Sequence, residues 1–169
     1  MNERDSAPGG LALIEALVNT LNVETGADTL DTADGRAEFA LAERDAPAAR
    51  TLREALRTVC LAHAGHRPPD GSASVLDRLL AGAPLRVTVD ATGAAALRPV
   101  EEPPGLTARV AAAIATASAD GTWDRLKACE AADCRCVYYD RSPAGRRRWC
   151  SMSVCGARAK MRTYRAKRG

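Results

Sequence analysis

Apolar positions recur at helical spacing through the first third of the chain. Leu13/Ile14, Leu17/Val18 and Leu21 fall on one face after the Gly9-Gly10 pair and predict an amphipathic helix over 11–23. Residues 24–35, rich in Thr, Asp and Gly, read as loop, with Asp34 placed to cap a helix over 36–44. Pro47 suits the first turn of the next helix, whose stripe is Leu52, Leu56, Val59, Cys60 and His63. Residues 65–71, with Pro68 and Pro69, end it, and a short helix follows over 72–80. The period then drops to two, as Leu85, Val87 and Val89 alternate with Arg86, Thr88 and Asp90 in the manner of a half-buried strand. Turn residues 90–93 and a weaker strand over 95–100 complete a hairpin. A Pro-containing connector leads to a helix over 106–119 whose mostly small residues allow close packing.

Composition narrows the picture. Apolar residues make up 46% of the 169, but 35 of them are alanine, which suits one compact domain plus a small module better than two full domains. No stretch approaches the roughly 20 uncharged apolar residues of a spanning helix, so no membrane partner is expected. Glu3, Arg4 and Asp5 lie where a secretory signal would be basic and then apolar; the expected location is the cytoplasm, at the nucleoid if the organism is bacterial. Charge divides the chain in two: residues 1–120 carry a net −6 and residues 121–169 a net +9. A basic module is thus joined to an acidic body, and such a field attracts polyanions, nucleic acid first among them. Five of the six aromatics and five of the six cysteines share that basic segment, which argues against a disordered tail.

The body offers little chemistry. His63 and His66 form an H-x-x-H pair, but Gly65 lies between them and Pro68 follows, so they read as ordinary residues of a helix end. Cys60 lies on the apolar stripe and reads as core. No nucleophile can be matched to a base by spacing, and no glycine-rich phosphate loop follows the good strand; the expectation is a protein that is not an enzyme.

The basic segment differs. Cys129/Cys134 and Cys150/Cys155 are two C-x4-C pairs fifteen residues apart. Two such knuckles deliver four thiolates to one tetrahedral ion, predicting one Zn2+ per chain. Disulfides fit poorly, since six cysteines in a chain of this length without a leader are not a dense secreted framework. Cys136 reads as a buried knuckle residue, with a fifth, exchangeable thiol as the alternative. Metal closure would order the run Arg146-Arg147-Arg148-Trp149 beside the second pair. A helix over 156–167 follows, with Val154, Ala157, Met161 and Tyr164 gathered on the side expected to pack on the knuckle. Ala159, Thr163 and Ala166 then face outward between Arg162 on one edge and Lys160 and Lys167 on the other, a slim face suited to a groove with cations on both sides.

These residues carry a resemblance. The series Arg125-Leu-Lys-Ala-Cys129, Asp-Cys134, Tyr139-Asp-Arg-Ser142, Arg147-Arg-Trp-Cys150-Ser-Met, Cys155-Gly-Ala-Arg158-Ala-Lys160 and Tyr164-Arg-Ala-Lys-Arg168 resembles the CGNR zinc finger family, over about 45 residues. That family's companion is an N-terminal domain named ABATE, described as a stress-induced transcription regulator, and Leu11-Ala-Leu with Leu17-Val-Asn-Thr20 is similar to its opening motif. Ala157 stands where the family has Asn, which removes whatever contact that side chain makes, base readout included. Cys136 stands where an aromatic is usual, which loosens the packing behind the knuckle.

The expected architecture is α+β: a mostly helical, ABATE-like domain over 1–120 with a hairpin near 85–100, then a four-Cys finger and basic helix over 121–169. The expected function is zinc-dependent binding of double-stranded DNA by a transcription regulator, with the body sensing a small-molecule effector or forming a homodimer. Arg146, Arg147, Arg148, Arg158, Lys160, Arg162, Arg165 and Lys167 are the expected phosphate contacts and Thr163 the groove-facing residue. An RNA-binding zinc module and a redox-responsive zinc-thiolate switch that uses Cys136 are the alternatives.

Overall fold

The computed structural model describes residues 6–66 and 72–168. In chain order the elements are α1 (Leu11–Val18), α2 (Ala33–Ala37), α3 (Ala46–His63), α4 (Ser72–Ala81), β1 (Leu85–Val89), β2 (Ala95–Pro99), α5 (Leu106–Ala119), β3 (Leu126–Ala128), β4 (Val137–Tyr139) and α6 (Ala157–Ala166). The fold is α+β and mostly helical, with two small antiparallel hairpins. No helix among the described residues is long and apolar enough to cross a membrane. The Pro68-Pro69 terminator and the first five residues, read above as lacking a signal, lie outside the described residues.

Two helices depart from their predicted bounds for local reasons. Helix α1 stops at Val18 because the residues after it take other bonds: Thr20 Oγ1 donates to the Leu17 carbonyl (2.8 Å), and Leu21 pairs with Asp28 in a short bridge. The helix expected over 36–44 is instead the short α2, and its cap is Thr32, whose Oγ1 accepts from the Gly35 N–H at 3.1 Å. A Cβ at Gly35 would lie 2.1 Å from the Thr29 carbonyl oxygen, so this turn closes only on glycine.

Leu11, Ile14, Leu17 and Val18 of α1 form one core with Leu52, Leu56 and Cys60 of α3 and Leu106 and Val110 of α5. Hairpin β1–β2 forms where expected and runs in register from Leu85 opposite Pro99 to Val89 opposite Ala95, but the expected half-buried face is not seen: Leu85 is half-buried while Val87 and Val89 are exposed, because little packs over them. Hairpin β3–β4, Leu126 opposite Tyr139 and Ala128 opposite Val137, was not anticipated. Its residues Leu126, Ala128 and Val137 are buried in the body's core, so the apolar stripes do not end at residue 120. Full burial of a Leu or Val side chain is worth about 1.5–3 kcal/mol, so this packing ties the cysteine-bearing hairpin firmly to the body.

Candidate metal centre and nucleic-acid interface

Strand β3 delivers Cys129 at its end, and the Cys129 N–H donates to the Cys136 carbonyl (2.8 Å), closing the first knuckle onto the start of β4. The chain turns back within the knuckle because Cys134 and Arg135 N–H groups both reach the Ala131 carbonyl at 3.0 Å, with Arg135 in the left-handed region. The second pair brackets a π-helical turn, Met152–Gly156, begun by Ser151, whose Oγ accepts from the Val154 N–H. Gly156 approaches Met152 and Trp149 so closely that an added Cβ would meet the Met152 sulfur at 3.2 Å.

The four ligand atoms of Cys129, Cys134, Cys150 and Cys155 all lie within 4.8 Å of one another, with Cys134 to Cys150 at 3.8 Å and Cys150 to Cys155 at 3.7 Å. Zinc–sulfur bonds near 2.3 Å arranged tetrahedrally give sulfur–sulfur edges of about 3.8 Å, which these two separations match and no other pair in the cluster exceeds by more than about 1 Å. The four cysteines form a single zinc site. Four thiols this close cannot all ionise without a cation. Cys129 is held down to about 5, first by a hydrogen bond from Cys150. Cys150 is raised by that same bond, while burial pushes Cys134 up to about 12 and raises Cys155. Zinc binding, which takes the cysteines as thiolates, therefore displaces protons from the cluster. Among the described residues no other His, Cys, Asp and Glu set gathers in this way, and His63 is committed elsewhere. Cys60 is core, with burial pushing its thiol up to about 12. Cys136 packs half-buried beside the cluster and lines a pocket of about 200 Å³ with Asn19 and Glu24.

The loop between the pairs is organised by Asp140, which sequence reasoning placed only within a family motif. Its Oδ1 accepts from the Ser142 hydroxyl (2.6 Å) and N–H (3.0 Å), and its Oδ2 from the Arg147 N–H (2.9 Å) and Lys127 Nζ (3.2 Å). Burial raises this carboxyl, but the four donors outweigh it and set it at about 2. Lys127 also donates to the Gly145 carbonyl, and the Tyr138 hydroxyl to the Arg147 carbonyl (2.7 Å). The arginine run is thus ordered by a buried ion pair as well as by the metal site.

The expected nucleic-acid residues fall into three groups. Arg147 is structural, donating to the Cys150 carbonyl at 2.7 Å and lying over the Tyr138 ring. Arg148, Arg158 and Arg162 meet acids: Arg148 pairs with Glu130, Arg158 with Glu24 (3.3 Å) and Asp133 (3.7 Å), and Arg162 with Asp133 (3.6 Å). Arg146, Lys160, Arg165 and Lys167 are exposed and have no ion pair among the described residues. The orientation of α6 reverses the expected one. Ala159, Arg162 and Thr163 line a cleft of about 680 Å³ facing the first knuckle and Trp149. Val154, Met161 and Tyr164, expected to pack inward, are 48%, 50% and 50% exposed.

Three body residues reach the finger through contacts that the sequence does not foretell, since there His63 reads as an ordinary helix-end residue and Asn19 as part of a family motif. Arg57, buried on α3, donates to the Arg135 carbonyl (2.7 Å) and to the Val18 carbonyl (2.8 Å). Asn19 bonds Val137 twice, accepting its N–H (2.7 Å) and donating to its carbonyl (2.8 Å). His63 Nδ1 lies 2.9 Å from the Leu126 carbonyl, with the ring edge-on to Trp123. Their role has no signal in local sequence because each finger partner lies at least 63 residues away.

A helical body whose core continues into a four-thiolate zinc site, with a basic helix growing from the last ligand, defines a zinc-finger protein with an N-terminal companion domain. The family model described as "Putative stress-induced transcription regulator" (ABATE) matches residues 11–121, and that of the CGNR zinc finger matches residues 125–168. The chain belongs to the ABATE family and carries a C-terminal CGNR zinc finger. No curated protein gives a significant match.

Proposed function

We propose that this zinc protein binds double-stranded DNA and regulates transcription, with α6 entering the major groove. The observation that supports this most is α6 itself: it has no buried residue and no acid, and it carries Arg158, Lys160, Arg162 and Arg165 before Lys167 and Arg168. Such a helix buries no side chain of its own; it is held by its attachment at the buried Cys155 and Gly156 and by the surface ion pairs of Arg158 and Arg162. Ten residues rise about 15 Å, enough to lie along a groove that admits one helix. Because Thr163 faces the cleft, base contact belongs to the opposite side, where Met161 lies between Arg158 and Arg165. Apolar side chains there suit thymine methyl groups, and the flanking cations suit phosphates. The function is binding rather than catalysis, and the body's share is regulatory: an effector bound to it acts on the finger through Arg57, Asn19 and His63.

The test is fluorescence anisotropy of the zinc-loaded chain on labelled duplex, with unlabelled duplex or single-stranded RNA as competitor. Preferential displacement by duplex supports the reading. Preferential displacement by single strands replaces it with RNA binding.

A further inference from the structure

The β1–β2 hairpin has a surface that the finger does not explain. Of the eight large hydrophobic side chains exposed among the described residues, four belong to it: Val87 (67%), Val89 (66%), Leu97 (40%) and Val100 (50%). The cause lies in the sequence of α5. At its start, Leu85 packs against Ala108 and Ala111, but further along the helix offers only small residues, and the hairpin overhangs it. Val87 and Leu97 above and Ala115 and Ala119 below bound a groove of about 610 Å³.

The outer edge of β2 is paired with no other strand among the described residues. Asp90 N–H donates to the Ala94 carbonyl (3.0 Å) and Val100 N–H to the Pro84 carbonyl (3.2 Å), so even-numbered residues of β2 bond to β1. Antiparallel alternation turns the main-chain groups of Ala95 and Leu97 outward, where no strand of the described residues meets them. A two-stranded sheet with an open edge and an apolar face is an incomplete unit. The groove holds one cation, Arg98, and one anion, Asp120, and neither has an ion-pair partner among the described residues.

We propose that this edge is a homodimer interface, in which β2 pairs antiparallel with β2 of a second copy about a two-fold axis near Leu97. The copies would exchange N–H to carbonyl bonds between the two Leu97 residues, and each Ala95 N–H would meet the other's Pro99 carbonyl. Pro99, having no N–H, ends the pairing. The surface is self-complementary, as an isologous contact must be, since each copy offers Arg98 to an anion and Asp120 to a cation. The two Leu97 side chains become neighbours over the alanine faces of α5, and the sheet grows to four strands. This inference is independent of DNA binding.

Sedimentation equilibrium of the zinc-loaded full chain, without nucleic acid, tests it. The wild type should be a concentration-dependent dimer. Leu97→Arg, which places like charges side by side at the axis, should weaken association by about tenfold or more. Ala95→Pro should do the same, because it removes an N–H that points away from β1. Arg98→Asp alone should weaken the dimer, and Arg98→Asp with Asp120→Arg should restore it, with circular dichroism confirming that every variant is folded. A wild type that stays monomeric overturns the proposal. So does a dimer that none of these substitutions weakens, since that dimer uses another surface.

Discussion

At Asp140 the sequence places a carboxylate where burial alone would make it unfavourable, and the fold surrounds it with four donors. Removing one member of such a buried pair leaves the other charge without compensation and costs about 3–5 kcal/mol. Asp140→Asn should therefore destabilise the zinc-loaded protein by that amount in denaturant unfolding, and Asp140→Asn combined with Lys127→Met should be better tolerated than Asp140→Asn alone, because the pair is then removed whole and no buried charge remains. The pH dependence follows from the direction of the shift. With its folded value at about 2, below the ordinary 3.8, Asp140 contributes its full stabilisation above pH 4 and loses it as pH falls through 2. The wild type should thus lose more stability than Asp140→Asn between pH 4 and pH 2. Equal losses would show that Asp140 does not organise the loop. The cysteines show the opposite bias: Cys134, Cys150 and Cys155 hold their protons, so zinc affinity should fall steeply as pH is lowered from 8 to 6, as read by competition with a chromophoric chelator.

Among the elements, α6 carries the sharpest expectations. Arg165→Ala, removing a free cation, should flatten the salt dependence of duplex binding by about one and weaken all sequences alike. Met161→Ala should change sequence preference and leave the slope unchanged, while Thr163→Ala should alter neither, as read by selection from a random duplex pool. The sequence alone led to the reverse assignment for Thr163, and the reason is physical. A helical wheel tells which residues share a face, not which face meets the neighbour, and α6 leaves the π-helical turn at Met152–Gly156 with its apolar stripe pointing outward. Elements with several repeats of their period were legible: α3, α5 and the strands of the β1–β2 hairpin lie where the pattern placed them, although Val87 and Val89 turn out exposed rather than half-buried. Strands β3 and β4 have three residues each, too few for a period, and the acids Glu24 and Asp133 that pair with Arg158 and Arg162 are brought there only by the fold. The zinc ligands were fully legible, because C-x4-C spacing is a local signal that survives without tertiary context.

For the molecule as a whole, the finger is an extension of the body's core rather than a tethered appendage. Leu126, Ala128 and Val137 pack with α1 and α3, while Arg57 and Asn19 hold the main chain beside the zinc ligands. Removal of zinc should then lower the thermal midpoint of the body's helices, contrary to what an independent body would show; identical melting with and without chelator would establish independence. The same continuity makes the presentation of α6 depend on the metal. The central claim is that zinc orders a surface whose free cations hold duplex DNA, and the most direct measurement is the affinity of the full chain for duplex as salt is varied, with zinc and after its removal. With Arg146, Lys160, Arg165 and Lys167 on phosphates, log affinity should fall against log salt with a slope of roughly −4, steeper if Arg158 and Arg162 leave Asp133, and removal of zinc should weaken binding strongly. No duplex binding at low salt, or an affinity and slope unchanged when zinc is removed, would contradict the account.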